Sequence, residues 1–203
     1  MKVLLINGSP HEKGCTYTAL SEIAGVLNEN GIDTEIFQVG SDPIRGCVGC
    51  AGKNRCVFQD QVNVALDKAA EADGFIFGSP VHYASAGGAI TSFLDRMFFA
   101  GKENMVYKPG AAVVSCRRAG STATLDQLNK YFTISSMPLV GSSYWNMVHG
   151  NAPEEVLKDE EGVQIMRVLG KNMAWLLKCI EAGKKAGVSV PLAEDKVKTN
   201  FIR

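Results

Sequence analysis

Three short runs, Lys2–Ile6, Gly74–Gly78 and Ala111–Cys116, carry apolar or small residues with almost no polar alternation, and each is followed by a longer stretch of helical period. A strand that is apolar on successive residues is covered on both faces, which is the signature of a parallel sheet packed between helices. The intervening segments supply those helices. Leu20, Ile23, Ala24 and Leu27 recur at helical spacing and Asn30-Gly31 stops the helix. Val62, Ala65, Leu66 and Ala69 mark a second helix with Asp60 as its N-cap, and Ile90, Phe93, Leu94 and Met97 a third. Leu125, Leu128 and Phe132 define a fourth, and Ile165 through Ile180 a long final one. Ile32–Val39 alternates apolar and polar residues, as an edge strand does, and Leu139–Gly141 reads as a short fifth strand. Five strands each followed by a helix imply right-handed crossovers. The expected fold is α/β, a doubly wound five-stranded parallel sheet in the order 2-1-3-4-5. It forms one domain over residues 1–183, with an irregular tail over 184–203 that contains Pro191.

Charge and composition exclude several classes of function. Twenty-one basic residues balance 21 acidic ones and no basic stripe runs along the chain, so nucleic acid is not an expected partner. The apolar run at the start ends at Asn7-Gly8, too short for a signal-peptide core or a membrane span, and no later segment reaches membrane length. A cytoplasmic location is expected. Its six cysteines then read as thiols, metal ligands or redox groups, not as disulfides.

In a doubly wound sheet, ligands bind beyond the carboxyl ends of the strands where the strand order reverses, here between strands one and three. The loop leaving strand one is Gly8-Ser9-Pro10-His11-Glu12-Lys13-Gly14-Cys15-Thr16, running into a helix. Helix N-terminal amides with the hydroxyls of Ser9, Thr16 and Thr18 make a neutral phosphate cradle. It is not a Walker loop, since five residues separate the glycines and Cys15 stands where lysine is needed. Nor is it a dinucleotide fingerprint, because Ser9 and Pro10 follow Gly8. A phosphate monoester fits, needing hydroxyls and amides but neither lysine nor magnesium.

Ile6-Asn7-Gly8-Ser9-Pro10 with Gly14-Cys15-Thr16 resembles the phosphate loop of the NAD(P)H-dependent FMN reductases of the flavodoxin superfamily. The likeness continues in Gly78-Ser79-Pro80-Val81-His82-Tyr83, in Phe93-Leu94-Asp95-Arg96, in Tyr144-Trp145-Asn146 and in the tail Asn200-Phe201-Ile202-Arg203. The resemblance implies a flavodoxin-like sheet and bound FMN, with NADH or NADPH as electron donor and a quinone, flavin or other small molecule as acceptor. A homodimer or homotetramer is implied as well. It assigns the cofactor to Ser9, His11, Gly14, Cys15, Thr16 and Tyr17, to Pro80, Val81, His82 and Tyr83, and to Ser115, Arg117, Arg118 and Gly120. The second of these groups would edge the isoalloxazine, Pro80 stiffening the exit from strand three and Tyr83 walling the site. His82 is an acid/base candidate, although flavin hydride transfer depends more on positioning than on a proton donor. Arg117 or Arg118 would offset charge on the reduced ring, hold a nicotinamide phosphate, or form a surface ion pair.

Cys47, Cys50 and Cys56 fall within ten residues of one another after strand two. Iron–sulfur flavoproteins of the same superfamily carry four cysteines in a compact motif there, but Lys53 stands where the third would fall. Three thiols leave a [4Fe–4S] cluster or a tetrahedral zinc one ligand short. No metal is expected, and Cys47, Cys50, Cys56, Cys15, Cys116 and Cys179 are read as small buried hydrophobes. Asp95 and Arg96 are adjacent and do not face each other on a helix, so each is expected to pair locally or across a dimer. An iron–sulfur electron carrier and a flavin-binding regulator without turnover are the alternatives to an enzyme.

Overall fold

The computed structural model describes residues 1–50, 54–195, 197–199 and 201. Lys53, Asn200, Ile202 and Arg203, which figured in the sequence reading, lie outside them. The strands are β1 (Lys2–Asn7), β2 (Asp33–Gln38), β3 (Gly74–His82), β4 (Ser85–Ala86), β5 (Gly110–Cys116) and β6 (Met147–His149). The helices are α1 (Cys15–Glu29), α2 (Gln61–Glu71), α3 (Gly88–Gly101), α4 (Ser121–Thr133), the short α5 (Pro153–Val156) and α6 (Glu160–Lys185). The parallel strands lie in the order β2-β1-β3-β5-β6, which is the expected 2-1-3-4-5 once the small β4 is set aside as a hairpin partner of β3.

Each face of the sheet is closed by its own apolar layer. Val3, Leu5, Ile76, Ala111 and Val113 point toward α1 and α6, while Leu4, Ile6, Phe75, Phe77, Ala112 and Val114 point toward α2, α3 and α4. On the second face Phe77 stacks on Phe132 with ring centroids 4.8 Å apart. The caps read from sequence form as expected: the Asp60 carboxylate accepts the Val62 N–H at 3.1 Å, and Gly31 takes φ 74° beyond α1.

Two elements differ from the sequence reading. The third strand does not end at Gly78 but runs to His82 and turns back through Tyr83 (φ 51°) and Ala84 (φ 57°) into β4. Two successive positive φ values are what a two-residue type I′ hairpin requires, and neither residue advertises it. The hairpin is fastened to α4, where Gln127 Oε1 accepts from the Ser85 hydroxyl at 2.8 Å and from the Ala86 N–H at 2.9 Å. The fifth strand is split. Leu139 makes only an isolated bridge to Gly110, the chain then leaves the sheet, and pairing resumes at Met147–His149 beside Val114–Cys116. Asn146 carries the ladder across the gap: its Nδ2 donates to the Ala112 carbonyl and its own carbonyl accepts the Val114 N–H, both at 3.0 Å.

Candidate functional site

The loop between β1 and α1 is held from within by the side-chain amides of buried Asn7 and half-buried Gln38. Asn7 Nδ2 donates to Gln38 Oε1 at 2.6 Å and to the Glu12 carbonyl at 3.1 Å, while its Oδ1 accepts the Ser9 N–H at 3.2 Å. Gln38 Nε2 donates to the Ser9 carbonyl at 2.7 Å, and the Gly8 N–H reaches the Gly78 carbonyl of β3 at 2.9 Å. Gly8 must lack a side chain, because a Cβ there would sit 2.5 Å from that of Ile90.

At the end of this loop Gly14 is the N-cap of α1, with extended backbone and no side chain capping the helix, and the first turn carries no acidic residue. The amides of Cys15, Thr16 and Tyr17 therefore face outward with no side-chain acceptor, at the positive end of a 15-residue helix. That arrangement fits an anionic phosphate ester.

The hydroxyls expected to join them are mostly turned inward. Thr16 is buried, and its Oγ1 lies 2.8 Å from Oγ of buried Ser115. Thr18 Oγ1 donates to the Gly14 carbonyl at 3.2 Å. Buried Ser9 accepts the His11 N–H at 3.1 Å, which leaves its own proton free to donate. His11 itself is exposed and Tyr17 half-buried.

The β3–β4 hairpin and the loop after β5 meet each other at Gly120. This residue has φ 93°, and a Cβ on it would lie 2.6 Å from Ala84 Cα and 3.0 Å from Val81 Cγ1. The half-buried Pro80 and Val81 form the base of the hairpin, His82 is exposed, and Tyr83 at its tip is fully exposed. Arg117 and Arg118 are exposed on the rim. The structure thus ties Ser9, Gly14, Thr16 and Ser115 into one neighbourhood and Val81, Ala84 and Gly120 into another. His11, His82, Tyr83, Arg117 and Arg118 stand at the edges. Cys15 Sγ lies 3.6 Å from the Gly150 carbonyl, and burial pushes the thiols of Cys15 and Cys116 above their ordinary range.

Several residues here went unread in the sequence. Gln38 and Asn7 brace the loop from strand ends, and His149 Nδ1 stands 3.4 Å from Asp159 Oδ2 where β6 meets α6. Arg96 contradicts the expectation of a local or intersubunit ion pair. It is 1% exposed, and its terminal nitrogens reach both carboxylate oxygens of Asp60 at 2.8 and 2.7 Å. The signal was its spacing, three residues after Phe93 on the buried face of α3. Burial alone would raise the Asp60 carboxyl, yet hydrogen bonds from Arg96 and the Val62 amide hold it below the ordinary carboxylate range. Asp95 instead accepts from Tyr131 at 2.5 Å, and burial together with that carboxylate pushes the phenol upward. Nor are all cysteines buried hydrophobes: Cys56 and Cys116 are buried, Cys15 and Cys50 half-buried, Cys47 and Cys179 exposed.

A family model described as NADPH-dependent FMN reductase matches residues 1–152. The chain belongs to that family. It is 32% identical over 192 residues to an iron–sulfur flavoprotein of Methanocaldococcus jannaschii, covering 89% of this chain and all of the relative. It is 34% identical over 99 residues to an FMN-dependent NADPH-azoreductase of Staphylococcus saprophyticus, covering 48% of this chain and 52% of that one. Among solved structures, RosB with a bound formylated riboflavin-5′-phosphate intermediate superposes with a TM-score of 0.71 at 14% identity, covering 100% of this chain and 94% of that one. The doubly wound, flavodoxin-like architecture is shared with an archaeal flavodoxin, TM-score 0.61 at 14% identity over 88% of this chain and 99% of the flavodoxin. Among the described residues no helix is long and apolar enough to cross a membrane.

Proposed function

We propose that the chain is an FMN-dependent oxidoreductase that takes reducing equivalents from NADH or NADPH and passes them to a small acceptor such as a quinone or a flavin. The observation that carries this reading is the first turn of α1, whose amides have no side-chain cap and no acidic neighbour. FMN, when bound, supplies a ring that accepts hydride and gives up electrons singly or in pairs. Cys15, Thr16 and Tyr17 would hold its phosphate through their backbone N–H groups, with Ser9 donating its free hydroxyl proton and Gly14 leaving room for the ester. Pro80, Val81, His82 and Tyr83 would border the ring on one side and Arg117, Arg118 and Gly120 on the other, while buried Ser115 supports Thr16 beneath the β1–α1 loop. The Gly120 backbone is fixed by its contact with the hairpin, and the guanidinium groups on the rim offset negative charge on the ring or on a nicotinamide phosphate.

Residues 1–183 form the cofactor-binding domain in this reading, and the tail from residue 184 onward packs on a second copy in a homodimer or homotetramer. Six free thiols suit a reducing cytoplasm.

Fluorescence titration of the flavin-free protein tests the phosphate assignment: FMN should bind much more tightly than riboflavin, and equal affinities would defeat it. Gly14→Asp gives a second arm. Its extended backbone accepts any residue, exposed His11 has to give slightly, and the new carboxylate caps the amides the phosphate needs. FMN affinity should fall by about 100-fold or more, from repulsion of roughly 4 kcal/mol between like charges near the surface. Steady-state NADPH oxidation with a quinone separates an enzyme from an electron carrier or a regulator.

The second reading, an iron–sulfur flavoprotein, draws on the Methanocaldococcus relative. The donor set here does not fit it. Cys47, Cys50 and Cys56 are joined by Lys53 and not by a fourth cysteine. Among the described residues no three Cys, His, Asp or Glu side chains converge where a metal could be held.

A further inference from the structure

The cysteine segment is anchored by something other than metal. Cys56 is 6% exposed, and its sulfur accepts the Nε–H of Arg96 at 3.2 Å. The same guanidinium grips both oxygens of Asp60 and donates from Nη1 to the Arg45 carbonyl at 3.3 Å, at the start of the segment. The Phe58 ring covers it, with centroid distances of 5.0 Å to the guanidinium carbons of both Arg96 and Arg45. Asn63 of α2 locks the Cys56 backbone from both sides, accepting its N–H at 2.8 Å and donating to its carbonyl at 3.0 Å. One buried cation therefore binds residues 45, 56 and 60 to α3, and among the described residues Asp60 is the carboxylate that balances its charge.

We infer that the buried Asp60–Arg96–Cys56 cluster, and not a metal cluster, is what fixes this loop, so that Cys56 is a positioning residue and not an iron ligand. A [4Fe–4S] cluster takes four thiolates drawn to one centre. Here, among the described residues, the three available thiols form no group that could hold a metal, and they differ in burial, one buried and hydrogen-bonded, one half-buried and one exposed. Arg96 meets the sulfur through a charge-assisted hydrogen bond, which needs an acceptor atom at position 56 but not specifically a thiolate. A hydroxyl would serve. This separates the two roles experimentally, because serine keeps the acceptor and makes a poor ligand for iron.

The full chain, purified anaerobically with its flavin, is assayed for iron and acid-labile sulfide before and after incubation with ferrous iron, sulfide and thiol reductant. Well under one iron per chain is expected in both states. Iron near four atoms per chain with absorption beyond the flavin bands overturns the inference, as would three or four atoms lost together in Cys47→Ser, Cys50→Ser and Cys56→Ser. Thermal unfolding supplies an arm independent of iron and of activity. Cys56→Ser should unfold close to the wild-type midpoint and Cys56→Ala clearly below it, while the Cys47→Ser, Cys50→Ser double variant matches wild type. If serine at position 56 does no better than alanine, the sulfur is not acting as the acceptor for Arg96 and the inference fails.

Discussion

Thr16 and Asp60 show how far a side chain's role depends on partners distant in sequence. Thr16 stands in the first turn of α1, where a hydroxyl would be expected to face a phosphate, but it is turned inward to hydrogen-bond Ser115. Thr16→Val should strand the Ser115 hydroxyl in the core at a cost of about 1–3 kcal/mol, read by urea unfolding of the flavin-free protein. FMN affinity should fall by less than about tenfold, since the backbone amide remains. A stable variant with a much larger affinity loss would return the hydroxyl to the phosphate. Asp60 carries a pH dependence whose sign follows from its partners. Arg96 and the Val62 amide stabilise the ionised form, so its folded pKa lies below the unfolded value of about 3.9. Its contribution to stability is complete above the unfolded value and is lost as pH falls through the folded one. Asp60→Asn should be less stable than wild type at neutral pH, because it leaves buried Arg96 unpaired. The gap should narrow as unfolding is measured at successively lower pH below about 4. A gap that widens on acidification would contradict the assignment.

At the scale of elements, the sequence revealed most where a strand is buried on both faces. β1, the first half of β3 and β5 announce themselves as apolar runs, and the edge strand β2 by its alternation, because local composition there reports a local environment. The strand order followed from connection rules acting on that pattern. The hairpin and the split fifth strand were hidden for opposite reasons. Tyr83 and Ala84 adopt positive φ without glycine or asparagine, so their turn is imposed by packing on Gly120 and by Gln127 of α4. β6 is registered by the Asn146 carboxamide on the Ala112 carbonyl, 34 residues away, and no periodicity encodes that bond. The loop after β1 was legible as a motif, whereas the inward turn of its hydroxyls was not, because Ser115 lies 99 residues from Thr16. Gly120→Ala tests the hairpin's dependence on its neighbour. The added methyl meets Ala84 and the residue is held at φ 93°, so a loss of about 1–3 kcal/mol is expected, with faster proteolysis at Tyr83–Ala84. Ala84→Gly, which relieves a positive φ without adding bulk, should be neutral or stabilising, and a marked loss there would show that the Ala84 methyl holds the hairpin.

The whole molecule has one part that its own core does not use. α6 ends at Lys185, and the described residues after Gly187 carry no regular structure. Yet this stretch is not polar in the way a solvated tail would be. Val188 and Val190 are 67% and 55% exposed, and Leu192, Val197 and Phe201 are 94%, 94% and 90% exposed. Val188 and Val190 line a cavity of about 370 Å³ with Leu176, Cys179 and Ile180 of α6, and nearby Trp175 on the same helix is 67% exposed. Apolar side chains left in water forgo roughly 25 cal/mol for each Å² they would otherwise bury, so a tail of this composition gains most by lying against another surface. The two apolar layers of the sheet are already closed by the helices, which leaves a second copy of the chain as the surface that fits the proposed homodimer or homotetramer. Deleting the residues after Gly187 should therefore leave the unfolding midpoint of the monomeric core and the ratio of FMN to riboflavin affinity nearly unchanged, since no described tail residue bonds to the α1 amides. The same deletion should lower the molar mass measured by light scattering at micromolar concentration and make it depend on dilution. A truncated chain that keeps the full-length mass would place the subunit contact elsewhere, and one that loses its fold would show that the tail completes the core of its own molecule.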